Sequence, residues 1–220
     1  MTDTEKYILD AIRTWVWSGF YGAEEVHSMI SDILEDGADE AFLRSSVMPE
    51  FEKKAAAELS WPQETDCDRL DRAFEELNTK GIVALQNAGY TMSDGTSDVS
   101  EVLHERGRGG INGYCFYHGQ DLERAVAGVG LWIAFGDLNA ESAKKTEIGQ
   151  IIRQVLEGHG FAVEWNGDPE TRLSIPKFDW KRRSRPLNVK GRAVEPPNNL
   201  LSKLFLRICR AAKQIHGKRD

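Results

Sequence analysis

The stretch TDCDRLDRAFEELNTKGIVALQ, residues 65–86, holds the change of pattern that decides the fold. Cys67, Leu70, Phe74 and Leu77 recur at helical spacing and line one face. Thr65 is placed to cap that helix, its hydroxyl accepting from the amide three positions on, and Asp66 and Asp68 sit where the helix dipole favours anions. Lys80-Gly81 ends it, since glycine takes the left-handed conformation of a helix C-cap at low cost. The apolar run IVALQ follows at once as a short strand. Upstream of this point the pattern is helical throughout; downstream, helices and strands alternate.

Working back toward residue 1, Ile8, Ala11, Ile12 and Trp15 predict a first helix stopped by Gly19. Val26, Met29, Ile30 and Ile33 predict a second, ended near Gly37, and the turn SGFYG makes the two a hairpin. A third helical region spans Ala38 to Leu59, and Pro49, which lacks a backbone donor, splits or kinks it. Four helices therefore precede the first strand.

Working forward, Gly113 to Tyr117 and Leu131 to Phe135 read as strands, with a short helix from Asp121 between them. A long helix carries Ile148, Ile151, Ile152 and Val155. FAVEW (161–165) and TRLSI (171–175) flank NGDPE, whose Asn-Gly and Asp-Pro are turn signals, so the pair reads as a hairpin. The expected fold class is α+β: an N-terminal helical segment (1–60) packed with a small mixed sheet and its helices (61–183), then a basic helical tail (184–220). In that tail Leu200, Leu201, Leu204, Phe205, Ile208 and Ala212 fall on one side of a helical projection, with Lys203, Arg207, Arg210 and Lys213 largely on the others.

Charge is divided unevenly. The stretch from Pro176 to Asp220 carries 13 Lys+Arg against 3 Asp+Glu, whereas residues 1–175 have a net charge of −17, within an overall −7. An acidic body with a basic tail predicts either that the tail folds back on the body or that it meets nucleic acid or an anionic membrane surface. The candidate patch for such a polyanion is Lys181, Arg182, Arg183 and Arg185. No apolar run approaches the roughly 20 residues of a membrane span, and the start of the chain lacks the pattern of a secretory signal. Three cysteines without CxxC spacing argue against a disulfide framework or a zinc ribbon and fit reduced thiols in a cytoplasm.

The polar residues with chemical potential follow strands: NAGYTMSDGTSD after the first, HGQD after the second, GD after the third. Parallel strands would bring all three loops to one sheet edge, where open α/β sheets bind ligands. Asn87, Asp94, His118 and Asp121 are then catalytic candidates, with His118 as general acid or base and a carboxylate orienting it. Tyr90, Asp98, His104 and Asp137 are ligand-binding candidates. Each also has an ordinary structural task available: Asp121 capping the helix it opens, Asp98 or Ser97 capping the helix before His104, Asn87 and Asp94 making turns. Cys115 and His118 point to opposite faces of one strand, which opposes a Cys/His nucleophile pair. No cofactor fingerprint occurs, no close ligand spacing marks a metal site, and RGRGGING leads into a strand and so supplies no helix N-terminus to a phosphate.

The motifs TDCDRLDRAFEEL, GIVALQNAGYTMSDG, GYCFYHGQDLERAV, LWIAFGD and VEWNGDPETRLSIPKFDW lie between Trp61 and Arg183. Through them the chain resembles an uncharacterised bacterial family, a domain of unknown function, and the resemblance implies a bacterial, soluble setting without an assigned activity. The leading expectation is a noncatalytic interaction protein, immunity-like or regulatory, whose acidic surface meets a basic protein. The alternatives are a small hydrolase using the cleft of His118, Asp121, Asp94 and Asn87, and a nucleic-acid or membrane-surface binder acting through the tail.

Overall fold

A computed structural model describes residues 1–139 and 141–184. The tail helix expected over 200–213, and Arg185 of the basic patch, lie outside the described residues. Among the described residues the fold is α+β, with eight helices and a four-stranded mixed sheet. The chain divides into two compact units, one containing residues 1–63 together with 181–184, the other containing 64–180.

The first unit is helical. Its elements are α1 (Asp3–Ser18), α2 (Ala23–Ile33), α3 (Glu40–Ser45) and α4 (Val47–Glu58). Ile8, Ile12 and Val16 of α1 meet Val26 and Ile30 of α2, with Leu43 and Val47 closing the core. The α1 stripe thus runs through Val16 rather than stopping at Trp15, which is only half-buried. Gly19 caps α1 in the left-handed conformation expected of it, at φ 75°. The third helical region is divided, but at Ser46 rather than at Pro49. Pro49 lies in the first turn of α4, where an amide has no acceptor within the helix and its loss costs little. With that division five helices, not four, precede the first strand.

The second unit runs α5 (Asp66–Thr79), β1 (Ile82–Leu85), α6 (Met92–Arg106), β2 (Gly113–Phe116), α7 (Gly119–Val126), β3 (Leu131–Asp137), α8 (Ser142–Gly158) and β4 (Leu173–Ile175). Thr65 caps α5 as expected, in a reciprocal box with Asp68. Strand order is β1-β2-β3-β4; β1 and β2 are parallel, while β3 is antiparallel to both β2 and β4. The expected hairpin is reduced to a single bridge between Glu164 and Ser174, and β4 pairs along its length with β3 on its other edge. Asn166 and Asp168 still form the turn, their side chains accepting from the amides of Asp168 and Glu170 at 2.9 Å each.

Both sheet edges are covered. At β1 the Asn78 side chain accepts from the Ala84 amide at 3.3 Å and donates to the Ala84 carbonyl at 3.4 Å. At β4 the Glu164 bridge serves the same purpose.

Candidate functional site

The antiparallel entry of β3 divides the expected cluster. The loops after β1 and β2 emerge at one sheet edge, but Asp137 pairs with Gly113 at the start of β2 and so lies at the other. Asp137 is a correction to the one-edge arrangement: there its Oδ2 accepts from the Asn139 amide at 2.9 Å.

At the shared edge the two loops lie backbone to backbone. The Ala88 amide donates to Tyr117 O at 2.9 Å, Gly119 to Gly89 O at 2.9 Å and Gln120 to Tyr90 O at 3.3 Å. Asn87 takes the left-handed conformation at φ 49°, which asparagine tolerates, and turns the chain out of β1. A Cβ on Gly89 would stand 2.8 Å from the Gly95 amide nitrogen, and one on Gly119 2.7 Å from the Tyr90 ring. Glycine at these two positions therefore lets α6 and α7 begin close together.

Each helix opens with a capping box. Asp94 Oδ2 accepts from the Thr91 amide and hydroxyl at 2.9 Å each, while Thr91 Oγ1 accepts from the Asp94 amide at 3.4 Å. Thr91, and not Asp98 or Ser97, is therefore the cap of this helix, and Asp98 lies half-buried within α6. In α7 the cap is His118: its Nδ1 accepts from the Asp121 amide and its own amide donates to Asp121 Oδ2, both at 3.4 Å. Asp121 is the third residue of the helix and answers the cap rather than being it.

Asp121 is completely buried. Arg172 Nη1 donates to its Oδ1 and Oδ2 at 2.9 and 3.1 Å, Arg124 Nη1 donates to Oδ1 at 3.0 Å, and His118 Nε2 stands 3.1 Å from Oδ2. Two guanidinium groups compensate a carboxylate that burial would otherwise penalise. Burial also pushes the His118 imidazole below its ordinary value; Asp121 opposes that shift, and Arg172 and Arg124 reinforce it. With Nδ1 accepting a cap bond, neutral His118 carries its proton on Nε2, facing Asp121. Both ring nitrogens are thus committed inside the protein, whereas a general base turns one toward its reactant.

The remaining candidates are dispersed. Tyr90 Oη donates to Glu123 Oε2 at 3.4 Å on the surface. His104 is exposed in the last turn of α6. Cys115 is fully buried in β2, and burial pushes its thiol up, away from the reactive thiolate. Arg124 and Arg172 were missed from the sequence. Arg124 had a signal, standing three residues after Asp121 on one helix face; Arg172, fifty-one residues away, had none.

A second polar centre was also missed, in the helical unit. Lys54 is fully buried, its Nζ 2.5 Å from Glu58 Oε1 and 2.7 Å from Ser184 Oγ, and it lies 5.7 Å from the centroid of the Trp61 ring. The Ser184 amide and hydroxyl donate to Glu58 Oε1 at 2.8 and 3.0 Å. Burial alone would raise Glu58, but the bonds from Lys54 and Ser184 outweigh it and hold the carboxyl below its ordinary value. The described part of the basic patch is seated beside this centre. Arg182 stacks 4.7 Å from the centroid of the Phe20 ring, and Arg183 donates to the Pro62 carbonyl at 2.5 Å.

A family model described as "Domain of unknown function (DUF6891)" matches residues 1–184, and the chain belongs to that family. The match takes in the helical unit as well as the 61–183 stretch that carried the resemblance, and stops at Ser184. Neither the curated proteins nor the solved structures contain a match.

Proposed function

We propose that this member of a family of unknown function is a noncatalytic protein-interaction module of the bacterial cytoplasm, with an acidic surface that receives a basic protein partner. The observation that carries the reading is the commitment of the would-be catalytic groups: His118 and Asp121 cap α7 and close on two arginines, Asp94 caps α6, and Asn87 makes a turn. Residues employed in this way need no reaction to explain them.

The charge supports the same reading. Residues 1–63 hold 13 Asp+Glu against 5 Lys+Arg, and Glu35, Asp36, Asp39 and Glu40 are exposed in the α2–α3 connection. A surface of this sign steers a cationic partner to its encounter and repels polyanions. Because β1 and β4 are both covered, recognition through side chains fits better than strand addition. Cys67 and Cys115 are buried as thiols, in keeping with a reducing compartment.

The test is affinity capture with three baits: the intact chain, His118→Asn, which keeps a good N-cap, and Glu35→Lys/Asp36→Lys. A stoichiometric basic protein held by the first two and lost from the third supports the module. A small molecule lost only from His118→Asn would sink it in favour of the hydrolase cleft.

A further inference from the structure

Asp137, the last residue of β3, uses only one of its two carboxylate oxygens. The residue is 7% exposed; Oδ2 accepts from the Asn139 amide, whereas Oδ1, shielded from solvent, meets no donor among the described residues. A buried acceptor left in this way is costly until a donor reaches it. Its surroundings are rich in donors. Just beyond, α8 starts at Glu141 without a side-chain cap and without an acidic residue in its first turn, so the donor capacity and positive dipole of that helix end are not neutralised there. Lys144 and Lys145 follow at once, and their partners Glu141 and Glu170 are exposed, in ion pairs of a kind that contributes little. On the neighbouring strand, Tyr114 lies against Gly136, where a Cβ would stand 2.5 Å from the Tyr114 hydroxyl oxygen. Burial raises that hydroxyl above its ordinary value, Lys145 opposes the rise and Asp137 adds to it. Lys144 is raised too, by Glu141 first and by Asp137 as well. The Asp137 carboxylate therefore shares one small region with the phenol, the two ammonium groups and the helix end.

We propose that this region, bounded by Asp137, Tyr114, Lys144, Lys145 and the first turn of α8, binds inorganic phosphate. Two demands select the ligand. The helix end, the ammonium groups and the phenol hydroxyl are donors, and donors in this arrangement suit an oxyanion. Asp137 Oδ1 is an acceptor, and it repels an oxyanion that carries no hydrogen. Near neutral pH inorganic phosphate keeps a P–OH group in each of its ionised forms, so one oxygen donates to Asp137 while the others accept. Sulfate matches it in size and shape but is fully deprotonated and has no donor to offer. The buried carboxylate is thus a filter that rejects the wrong anion by leaving two acceptors face to face. Glu141 and Glu170 give way to the ligand, since both are exposed. The site lies within the sheet unit, and the inference does not depend on the partner-binding reading, which concerns the acidic α2–α3 connection.

The test is isothermal titration calorimetry of the full chain with inorganic phosphate and with sulfate, near neutral pH in a chloride buffer. Phosphate should bind about tenfold or more tighter than sulfate, the worth of one charge-assisted hydrogen bond. Asp137→Asn, which replaces the acceptor by an amide able to donate, should bring the two anions to within about threefold of each other. Lys144→Gln/Lys145→Gln should weaken phosphate by about tenfold or more. No saturation by about 10 mM phosphate overturns the proposal. So does equal binding of both anions by the intact chain, which reduces the region to a basic helix end, or an unchanged preference in Asp137→Asn. Far-UV circular dichroism checks the fold of each variant. If Asp137→Asn does not fold, the phosphate-to-sulfate ratio of the intact chain and the loss in the lysine variant, whose ion pairs lie at the surface, decide the matter.

Discussion

Lys54 in the helical unit and Asp121 in the sheet unit solve the same problem with different chemistry. Each is a fully buried charge on a helix, and each takes one partner from its own helix and another from far along the chain. Among the described residues Lys54 meets the carboxylate of Glu58 and the hydroxyl of Ser184; Asp121 meets two guanidinium groups and a histidine. The difference lies in what burial leaves unbalanced. At Lys54 the described ion pair lies within one helix, Lys54 with Glu58 four residues on, so the two can be replaced together. At Asp121 the anion holds cations from two elements together, so its loss exposes both to repulsion.

The largest expected effect follows directly. Asp121→Ala removes the shared acceptor of Arg124, Arg172 and His118 and the reciprocal member of the α7 cap, and should lower stability by about 3–5 kcal/mol. Urea unfolding followed by tryptophan fluorescence measures it, and a loss below about 1 kcal/mol would mean that Asp121 does not bind the two elements together. Lys54→Met comes next, at about 2–3 kcal/mol, because Glu58 is left partly buried without its cation. The double variant Lys54→Met/Glu58→Leu should recover most of that loss, and a double-mutant cycle without recovery would break the contrast with Asp121.

Acidification separates the two centres. Burial depresses the folded-state value of His118 below its unfolded value near 6.5. The unfolded chain then binds the proton more readily, and stability present above about pH 6.5 is lost as pH falls through that value. In the helical unit Glu5 and Glu58 are also held below their ordinary values, Glu5 by the amides of Thr2 and Asp39. Their contribution is complete above the unfolded carboxylate value near 4.3 and is lost only as pH falls below it. Hydrogen exchange resolved by segment should therefore show α7 loosening as pH falls below about 6.5, before the carboxylate range near 4.3 is reached, while α1 and α4 hold. The reverse order would refute the assignment of buried His118 as the more acid-sensitive group.

The smallest effect sharpens the comparison at the neighbouring helix. Thr91→Ala removes the α6 cap, a neutral hydroxyl whose charged partner, Asp94, is only half-buried, and should cost about 1 kcal/mol in the same unfolding assay. A cost equal to that of Asp121→Ala would mean that the caps, and not the guanidinium pairs, account for the stability of this edge.

Particular residues show how far the sequence could be read. The stripes of α1, α2 and α5 were legible because burial of a helix face imposes a period on contiguous residues. The Thr65 cap was legible because its partner lies three positions away. The α6 cap was misplaced, at Asp98 or Ser97 instead of Thr91, because several serine, threonine and aspartate residues in succession offer equivalent local bonds. Pro49 drew the helix break toward itself, although a first-turn proline breaks nothing.

The sequence by itself determined the α+β class, the order of the elements with the division of α3 from α4 and the hairpin excepted, the capping chemistry of α5 and the turn at Asn87, all set by interactions within a few residues. Tertiary structure alone decided that β3 runs antiparallel and carries Asp137 to the far edge, that β4 pairs with β3, that Arg172 reaches Asp121, and that Ser184 returns to Lys54 and Glu58. Those outcomes depend on strand direction and on contacts across 51 and 130 residues. A single chain records no spacing for such contacts, because loop closure over these lengths costs nearly the same for many alternative partners.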